Sequence, residues 1–502
     1  MKRLLTPLLA LIGLELACFG VFSSRLGFYH DDWFFLEQAL RGGGFWGVLK
    51  IYSHIGNFLA RPVNIVHFAL FYEAGGFNPA VYQLLLLALD VAQGFFFFIV
   101  IERLIEDRAL ALLAAALGMI CPSRVVMHLW YSNSPQGAAL ACVFAGLAAH
   151  QLWLERRRGA WLWAGQGCYL LSMLNYESGT FLPLLLAAGL LVKARRAGAG
   201  WIESADRTLR EMFPFALTLM AALAWQWIGV KTILHQSNQK SFTLSFHHVL
   251  KAFGAAFECV SNRVIHICWT GVPGALHELN PGYAFLALAA ALAAAWLVPA
   301  KPSAKKTLLM ALALAAAAFV GGYLPYALSG NYVPQIYGLM SRTNGGGAWV
   351  TGLLLACAIQ ALPGAAARRT LLAAAVAVFT LTDWHAASQW VSAWELEQDI
   401  LAKAAPLAAR LPRNSTVLLA HAPGYIGHAI VFDATWAFAP ALRMAAKRDD
   451  LIGDVASAEM TYDKSGLIKD DAEGSRRYSY DNLYVFDYGL GTLSQVTGPP
   501  KP

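Results

Sequence analysis

The feature that most constrains this chain is a series of apolar runs close to the length that crosses a bilayer. A helix needs about 20 apolar residues to span roughly 30 Å of hydrocarbon. Runs that approach this length are found at 4–22, 79–101, 108–122, 136–154, 160–175, 178–192, 211–231, 283–299, 307–327, 347–364 and 370–389. The pattern predicts an all-α polytopic membrane protein with about eleven transmembrane helices.

The composition excludes a soluble globular chain. Apolar residues make up 57% of the sequence and charged residues only 14%, whereas soluble domains have about 45–50% and about 25%. The net charge of +7 is concentrated in alternate short connections between the apolar runs, as expected for cytoplasmic loops. The basic residues of these connections are Lys2, Arg3, Arg103, Arg108, Arg156, Arg157, Arg158, Lys193, Arg195, Arg196, Arg207, Arg210, Lys301, Lys305, Lys306, Arg368 and Arg369. Membrane insertion therefore explains the charge, and we expect a cytoplasmic N-terminus and no binding of nucleic acid.

The apolar runs divide the chain into two predicted domains. Residues 1–390 form the transmembrane domain, with two long outer loops at 23–78 and 232–282. An odd number of spans places residues 391–502 outside the membrane on the same side as these loops.

The C-terminal segment has a different pattern from the rest of the chain. Residues 394–411 predict an amphipathic helix, and 416–420 and 480–488 predict strands. We therefore expect a small extracytoplasmic α/β domain.

The first outer loop contains two adjacent carboxylates, Asp31 and Asp32, within the aromatic segment 28–35. A carboxylate near the bilayer surface can act as a base whose proton affinity is tuned by burial and by a neighbouring charge. Both are candidate catalytic residues. Two alternatives remain open: Asp32 caps a helix that begins at Trp33, or His30 and Asp31 contribute to a divalent-metal site.

Three arginines, Arg61, Arg124 and Arg342, lie on the outer side, where the topology otherwise avoids positive charge. The guanidinium group binds phosphate through a fork of donors. The glycines at 345–347 would expose backbone N–H groups to an anion beside Arg342. The alternative is that each arginine extends from a helix end to the membrane surface, but three of them favour a common anionic partner.

Tyr176 and Glu177 lie at the tip of a predicted hairpin between two apolar runs. An ionisable residue there is usually functional or paired with a cation. We expect Glu177 to pair with one of the arginines, the alternative being a solvated tip. The remaining outer histidines, which we interpret as interfacial hydrogen-bonding residues rather than metal ligands, are His54, His67, His128, His247, His248 and His266.

Taken in order, these segments resemble the GT-C superfamily of polytopic glycosyltransferases. The resemblance is to the branch with protein O-mannosyltransferases, TMTC-type mannosyltransferases and bacterial lipid-linked-sugar transferases. It covers about residues 4–365, and the segments that carry it are 29–33, 61–63, 71–79, 121–126, 130–132, 175–178, 182–183 and Arg342. The chain departs from the family where Tyr176 replaces a frequent lysine and Cys121 replaces the usual histidine, and it lacks a TPR array.

The resemblance implies an inverting glycosyltransferase, of hexosyl or pentosyl type, in the bacterial inner membrane. The donor would be a polyprenyl-phosphate sugar in the bilayer, and the acceptor a hydroxyl of a lipid, glycan or protein at the outer face. No cofactor is obligatory, and no metal ligand is assigned.

Within this implied mechanism, Asp31 is the base, and Asp32 raises its pKa or orients the acceptor. Arg61, Arg124 and Arg342 are candidates to bind the phosphate, with Tyr176 and Glu177 beside the donor. These groups are expected to meet around one outer cavity. The alternatives are a flippase or exporter, and a polymerase or ligase, of lipid-linked glycans.

Overall fold

The structure is a computed structural model that describes residues 2–233, 245–296, 302–330, 332–471 and 474–499. It contains two compact units. The first unit comprises Met1–Ser24 and Leu49–Ser388, and the second comprises Arg25–Val48 and Gln389–Pro502. Part of the first predicted outer loop thus belongs to the same unit as the C-terminal segment.

The protein is mostly helical. The helices are α1 (Lys2–Cys18), α2 (Asp31–Gly42), α3 (Phe45–Tyr52), α4 (Gly56–Leu59), α5 (Pro62–Gly75), α6 (Pro79–Ile105), α7 (Arg108–Met119), α8 (Val126–Leu129), α9 (Ser134–Arg156), α10 (Gly159–Asn175), α11 (Pro183–Arg196), α12 (Trp201–Ala224), α13 (Phe246–Val260), α14 (Asn262–Glu278), α15 (Pro281–Ala295), α16 (Lys305–Ala327), α17 (Ala348–Ala361), α18 (Ala365–Ala408) and α19 (Thr435–Ala446). A π-helical segment, Trp225–Ile233, continues α12.

Each predicted apolar run coincides at least in part with a helix. Within the described residues, five helical segments are long and apolar enough to cross a membrane, and α7, α15 and α17 are shorter apolar helices. The five long segments are Pro79–Ile105, Tyr131–Arg156, Glu177–Arg196, Lys305–Ala327 and Ala365–Ala408. The structure is therefore compatible with a multi-pass membrane protein.

Two segments of the chain are more helical than predicted. The run 370–389 and the amphipathic segment 394–411 form one helix, α18, because no glycine or proline between them ends it. The second outer loop, 232–282, consists largely of α13 and α14. Residues 234–244 of that loop, and 297–301 at the end of the following run, lie outside the described residues.

Close helix packing in the first unit depends on small residues. A Cβ atom on Gly352 of α17 would lie 2.4 Å from the Ala114 carbonyl oxygen of α7. A Cβ on Gly146 of α9 would lie 2.9 Å from the Gly165 carbonyl oxygen of α10. Glycine therefore lets both helix pairs approach closely, as is common in membranes.

The second unit contains the predicted α/β fold. Its strands are β1 (Thr416–Ala420), β2 (Tyr425–Ile426), β3 (Ala429–Ile430), β4 (Ile452–Val455), β5 (Met460–Tyr462), β6 (Gly466–Asp471), β7 (Gly474–Ser479), β8 (Leu483–Asp487) and β9 (Thr492–Gln495). The main sheet has the order β4-β1-β8-β9, in which β1 is parallel to both neighbours and β9 is antiparallel to β8. Helix α19 packs against both β4 and α2. The predicted strand 416–420 is β1, and β8 lies within the segment predicted at 480–488.

A buried carboxylate supports this sheet and makes it sensitive to acid. Asp454 of β4 accepts hydrogen bonds from Lys469 Nζ at 2.8 Å, from Thr435 Oγ1 at 2.6 Å and from the Tyr478 hydroxyl. Burial alone would raise the pKa of Asp454, but these hydrogen bonds outweigh it and lower the pKa below its ordinary value. The ionised form thus stabilises the fold above the unfolded-state pKa of about 3.9. This stabilisation is lost as the pH falls through the lower, folded-state pKa.

We expect the stability of the second unit to fall below about pH 4. Hydrogen exchange of the β1 amides, corrected for intrinsic rates and followed from pH 7 to pH 3, measures it. Asp454→Asn should be less stable than the wild type at pH 7 and lose less stability on acidification. Equal pH dependence in the two proteins would contradict the assignment to Asp454.

Candidate functional site

Asp31 lies in the second unit, at the first position of α2. Its Oδ1 accepts a hydrogen bond from Trp436 Nε1 at 2.8 Å and lies 2.8 Å from His30 Nδ1. His30 Nε2 lies 3.5 Å from Asp433 Oδ1. The Asp31 side chain is 30% exposed. The imidazole thus lies between two carboxylates, and Asp31 is held in place yet accessible.

His30 has a backbone conformation that residues other than glycine rarely adopt, with φ +49° and ψ −112°. Such strained positions cluster at active sites and ligand-binding segments. Burial opposes protonation of His30, but the hydrogen bond and charge of Asp31, with the charge of Asp433, raise its pKa. The raised pKa favours the imidazolium form of His30 beside Asp31.

Asp32 has a different environment from Asp31. Its side chain is fully buried, and Oδ2 accepts a hydrogen bond from the backbone N–H of Tyr29 at 2.9 Å. The alternative in which Asp32 caps a helix starting at Trp33 is wrong, because α2 begins at Asp31 and His30 is its N-cap residue. Asp32 instead ties the helix to the preceding loop.

Asp433 and Trp436 are neighbours of Asp31 that the sequence pattern does not predict. Trp436 is 405 positions away from Asp31 in sequence. Both residues lie at or just before the start of α19, whose Arg443 also forms an ion pair with Glu37 of α2. An aspartate and a tryptophan close together are apparent in the sequence, but no local sequence pattern links them to the first outer loop.

Arg61 and Glu177 form a two-point ion pair in the first unit. Arg61 Nη2 lies 2.7 Å from Glu177 Oε2, and Arg61 Nε donates to Oε1 at 3.1 Å. The guanidinium carbon lies 4.4 Å from the centre of the Tyr176 ring. Gln226, in the π-helical segment, donates to Glu177 Oε1 at 3.2 Å. The expected pairing of Glu177 with an arginine is confirmed.

Arg342 lies near the same group of residues and is surrounded by aromatic rings. Its guanidinium carbon is 5.6 Å from the Trp130 ring centre and 5.5 Å from that of Tyr332. Tyr332 also interacts electrostatically with Arg61. Tyr326 interacts electrostatically with Tyr176, Arg342 and Glu177. We therefore call Arg61, Tyr176, Glu177, Arg342 and these two tyrosines the arginine cluster.

The arginine cluster contains two guanidinium groups in different surroundings. The Glu177 carboxylate neutralises Arg61, and burial, which would lower the Arg61 pKa, is outweighed by that carboxylate, so the pKa is raised. Arg342 is half-buried among aromatic rings. Arg342 contributes the second guanidinium group of the cluster. Guanidinium groups are suited to binding an anionic group such as phosphate.

Arg124 does not lie at a surface, contrary to its interpretation as an outer arginine. Its side chain is completely buried, and Nη2 contacts Asp90 Oδ1 at 2.6 Å and Gln93 Oε1 at 3.0 Å. The segment 122–124 folds inward as a 3₁₀ turn instead of facing solvent. Arg124 thus binds a carboxylate of α6, which argues against a role as a phosphate ligand.

His128 is likewise buried, so its interpretation as an interfacial residue is wrong. Nδ1 lies 3.0 Å from Glu15 Oε1 and 2.8 Å from Asp90 Oδ2. Together with Arg124, these residues form a network of ionisable side chains inside the helical bundle. Glu15 and Asp90 were apparent in the sequence as charges within apolar runs, which was the signal for this network.

A largely apolar cavity of about 750 Å³ lies in the first unit. Side chains of α14, α17 and α18 line it, including Ile265, Trp269, Leu354, Leu355 and Phe379. Its volume is in the range of small-molecule sites, roughly 300–1,000 Å³. An aliphatic chain is the chemistry that such walls accept.

The structure thus brings together Arg61, Tyr176, Glu177 and Arg342 in one unit, and Asp31 and Asp32 in the other. Their expected meeting around one outer cavity stays a prediction. No family model matches this chain, and a search of characterised proteins finds no protein of similar sequence.

Proposed function

We propose that the protein is an inverting glycosyltransferase that moves a monosaccharide from a polyprenyl-phosphate carrier to an acceptor hydroxyl. The observation that carries the proposal is the arginine cluster, in which the guanidinium group of Arg342 lies among aromatic side chains. Guanidinium groups suit a departing phosphate, and aromatic faces suit a sugar ring. The apolar cavity in the same unit is a suitable environment for the isoprenoid tail.

The proposed chemistry has two charge requirements, a base for the acceptor and a cation for the phosphate. Asp31 removes the proton of the acceptor hydroxyl, and the oxygen attacks the anomeric carbon as its bond to the carrier phosphate breaks. Arg342 stabilises the negative charge that develops on the phosphate. Arg61 and Tyr176 border the donor, and Glu177 orients Arg61. Attack opposite the phosphate inverts the anomeric centre.

The membrane arrangement belongs to the same proposal. It comprises about eleven spans, a cytoplasmic N-terminus, outer loops at 23–78 and 232–282, and residues 391–502 outside the bacterial inner membrane. The basic residues of the alternate short connections support this orientation. The acceptor is a lipid, glycan or protein of the envelope.

Replacing Arg342 by alanine tests the phosphate role. We expect Arg342→Ala to weaken binding of a radiolabelled polyprenyl-phosphate sugar about 10- to 100-fold, because a charged hydrogen-bonding partner is lost. The apparent affinity for the acceptor should change little. Equilibrium binding and initial transfer rates on the purified protein in nanodiscs measure both quantities.

Arg369→Ala is the matched control for this experiment. The Arg369 guanidinium also lies 5.6 Å from a tryptophan ring, that of Trp296, but it is in a predicted cytoplasmic connection. It should bind donor as the wild type does. Unchanged donor affinity in Arg342→Ala would reject the phosphate role. Transfer from a diphosphate-linked oligosaccharide, with no use of the monosaccharide donor, would indicate a polymerase or ligase instead.

The buried network of Glu15, Asp90, Arg124 and His128 favours a second candidate function, transport of a lipid-linked glycan. Ionisable residues inside membrane helices often form relays in transporters. Reconstituted protein that moves labelled donor between leaflets without releasing sugar to an acceptor would establish transport. Sugar release without movement between leaflets would establish the transferase.

A further inference from the structure

Three side chains from different helices converge inside the first unit. Glu15 of α1, Asp90 of α6 and His128 of α8 are at most 2% exposed, and one ligand atom from each lies within 4.8 Å of the others. The Phe19 ring stacks on the imidazole at 3.8 Å between ring centres and 8° between planes. This stacking fixes the orientation of the imidazole toward the two carboxylates.

A second observation points to something bound at this place. Asp383 of α18 is completely buried, and neither of its carboxylate oxygens has a hydrogen-bond partner within the part of the chain that the structure describes. It interacts electrostatically with His128, Glu15 and Arg124 and so belongs to the same surroundings. A buried carboxylate is ordinarily paired, hydrogen-bonded or bound to a metal ion.

The charges of these side chains indicate which kind of ion would balance them. In their ionised forms, Glu15, Asp90 and Asp383 would carry three negative charges against the one positive charge of Arg124. With a neutral imidazole at His128, two negative charges remain, which a divalent cation would balance. Imidazole nitrogen and carboxylate oxygen are ligands of Zn²⁺ and similar transition metals, at about 2.0–2.2 Å.

We propose that Glu15, Asp90 and His128 bind a divalent transition-metal ion of the Zn²⁺ type. Arg124 holds Asp90 Oδ1 and so directs the other oxygen, Oδ2, toward the ion, as outer-sphere partners of metal ligands do. Asp383 supplies the balancing negative charge nearby. The ion cross-links α1, α6 and α8, and this role does not depend on the proposed sugar transfer.

Metal binding by the purified full chain tests the proposal. The protein in detergent is stripped with a chelator, loaded with Zn²⁺ and desalted, and bound zinc is measured by mass spectrometry. We expect about one zinc ion per wild-type chain and almost none in His128→Gln. His150→Gln is the matched control, because His150 is also a buried histidine but its Nε2 donates to the Glu211 carbonyl oxygen instead. It should bind zinc as the wild type does.

Two further measurements keep the test decisive if His128→Gln does not fold. Loading stripped wild-type protein with Co²⁺ should give the absorption bands of a nitrogen and oxygen site, and Zn²⁺ should raise its unfolding temperature. Asp383→Asn should weaken zinc binding. Equal zinc in the wild type and His128→Gln would overturn the proposal. The proposal would also be overturned if the wild-type chain bound no metal and were not stabilised by it, because protons would then balance the charge.

Discussion

Asp31→Asn is expected to reduce sugar transfer by about 10²- to 10⁴-fold, the contribution that a general base usually makes. Asparagine has the same shape and can still accept the hydrogen bond from Trp436, but it cannot take up a proton from the acceptor. Expression, membrane insertion and donor binding should therefore be preserved. Initial rates with a polyprenyl-phosphate sugar and an acceptor extract measure the effect.

The control for Asp31→Asn is Glu395→Gln. Glu395 is a carboxylate of the same unit whose side chain is 63% exposed and which forms a weak surface ion pair with Arg25. Its loss should leave transfer unchanged. Normal transfer by Asp31→Asn would remove Asp31 as the base, whereas loss of donor binding in the same variant would indicate a folding defect.

Arg124→Met is expected to produce the largest loss of stability, about 3–5 kcal/mol. The substitution preserves much of the side-chain volume but removes the guanidinium group that pairs with the buried Asp90 Oδ1. The Asp90 and Arg124 side chains are at most 2% exposed, so water cannot replace the lost interaction. Chemical or thermal unfolding in detergent measures the change.

A double substitution separates charge from packing at this position. Adding Asp90→Asn to Arg124→Met removes the uncompensated carboxylate and should recover part of the lost stability. Arg103→Met is a surface control, since the Arg103 pair with Glu155 is partly exposed and is expected to contribute about 0–1 kcal/mol. An Arg124→Met protein as stable as the wild type would show that the buried pair contributes little.

Much of the helical architecture could be predicted because apolar runs and turn residues act locally. The run at 307–327 corresponds to α16, and the strand predicted at 416–420 has the same limits as β1. The lengths of several helices could not be predicted. For example, the hydropathy of the sequence changes within α18, but no glycine or proline at that point ends the helix, which continues to Ala408.

The candidate sites were only partly predictable, for a different physical reason. Glu177 was expected to pair with an arginine because an unpaired carboxylate at a membrane surface is unfavourable, and it does pair with Arg61. Arg124 was misinterpreted because a short connection has the same sequence character whether it faces water or turns into the bundle. Asp433 and Trp436 could not be found because a contact across about four hundred residues has no local pattern.

The second unit combines two distant segments of the chain, so it can fold only after both segments have been synthesised. Residues 25–48 emerge early from the ribosome, but they share a compact unit with residues 389–502. Trp436 is synthesised 405 residues after Asp31, which at about 5–20 residues per second is a delay of roughly 20–80 s. During translation, residues 25–48 are therefore without the C-terminal residues of their unit for this time. A nascent chain released before the last strands would display Asp31 without Trp436 or Asp433 to hold it.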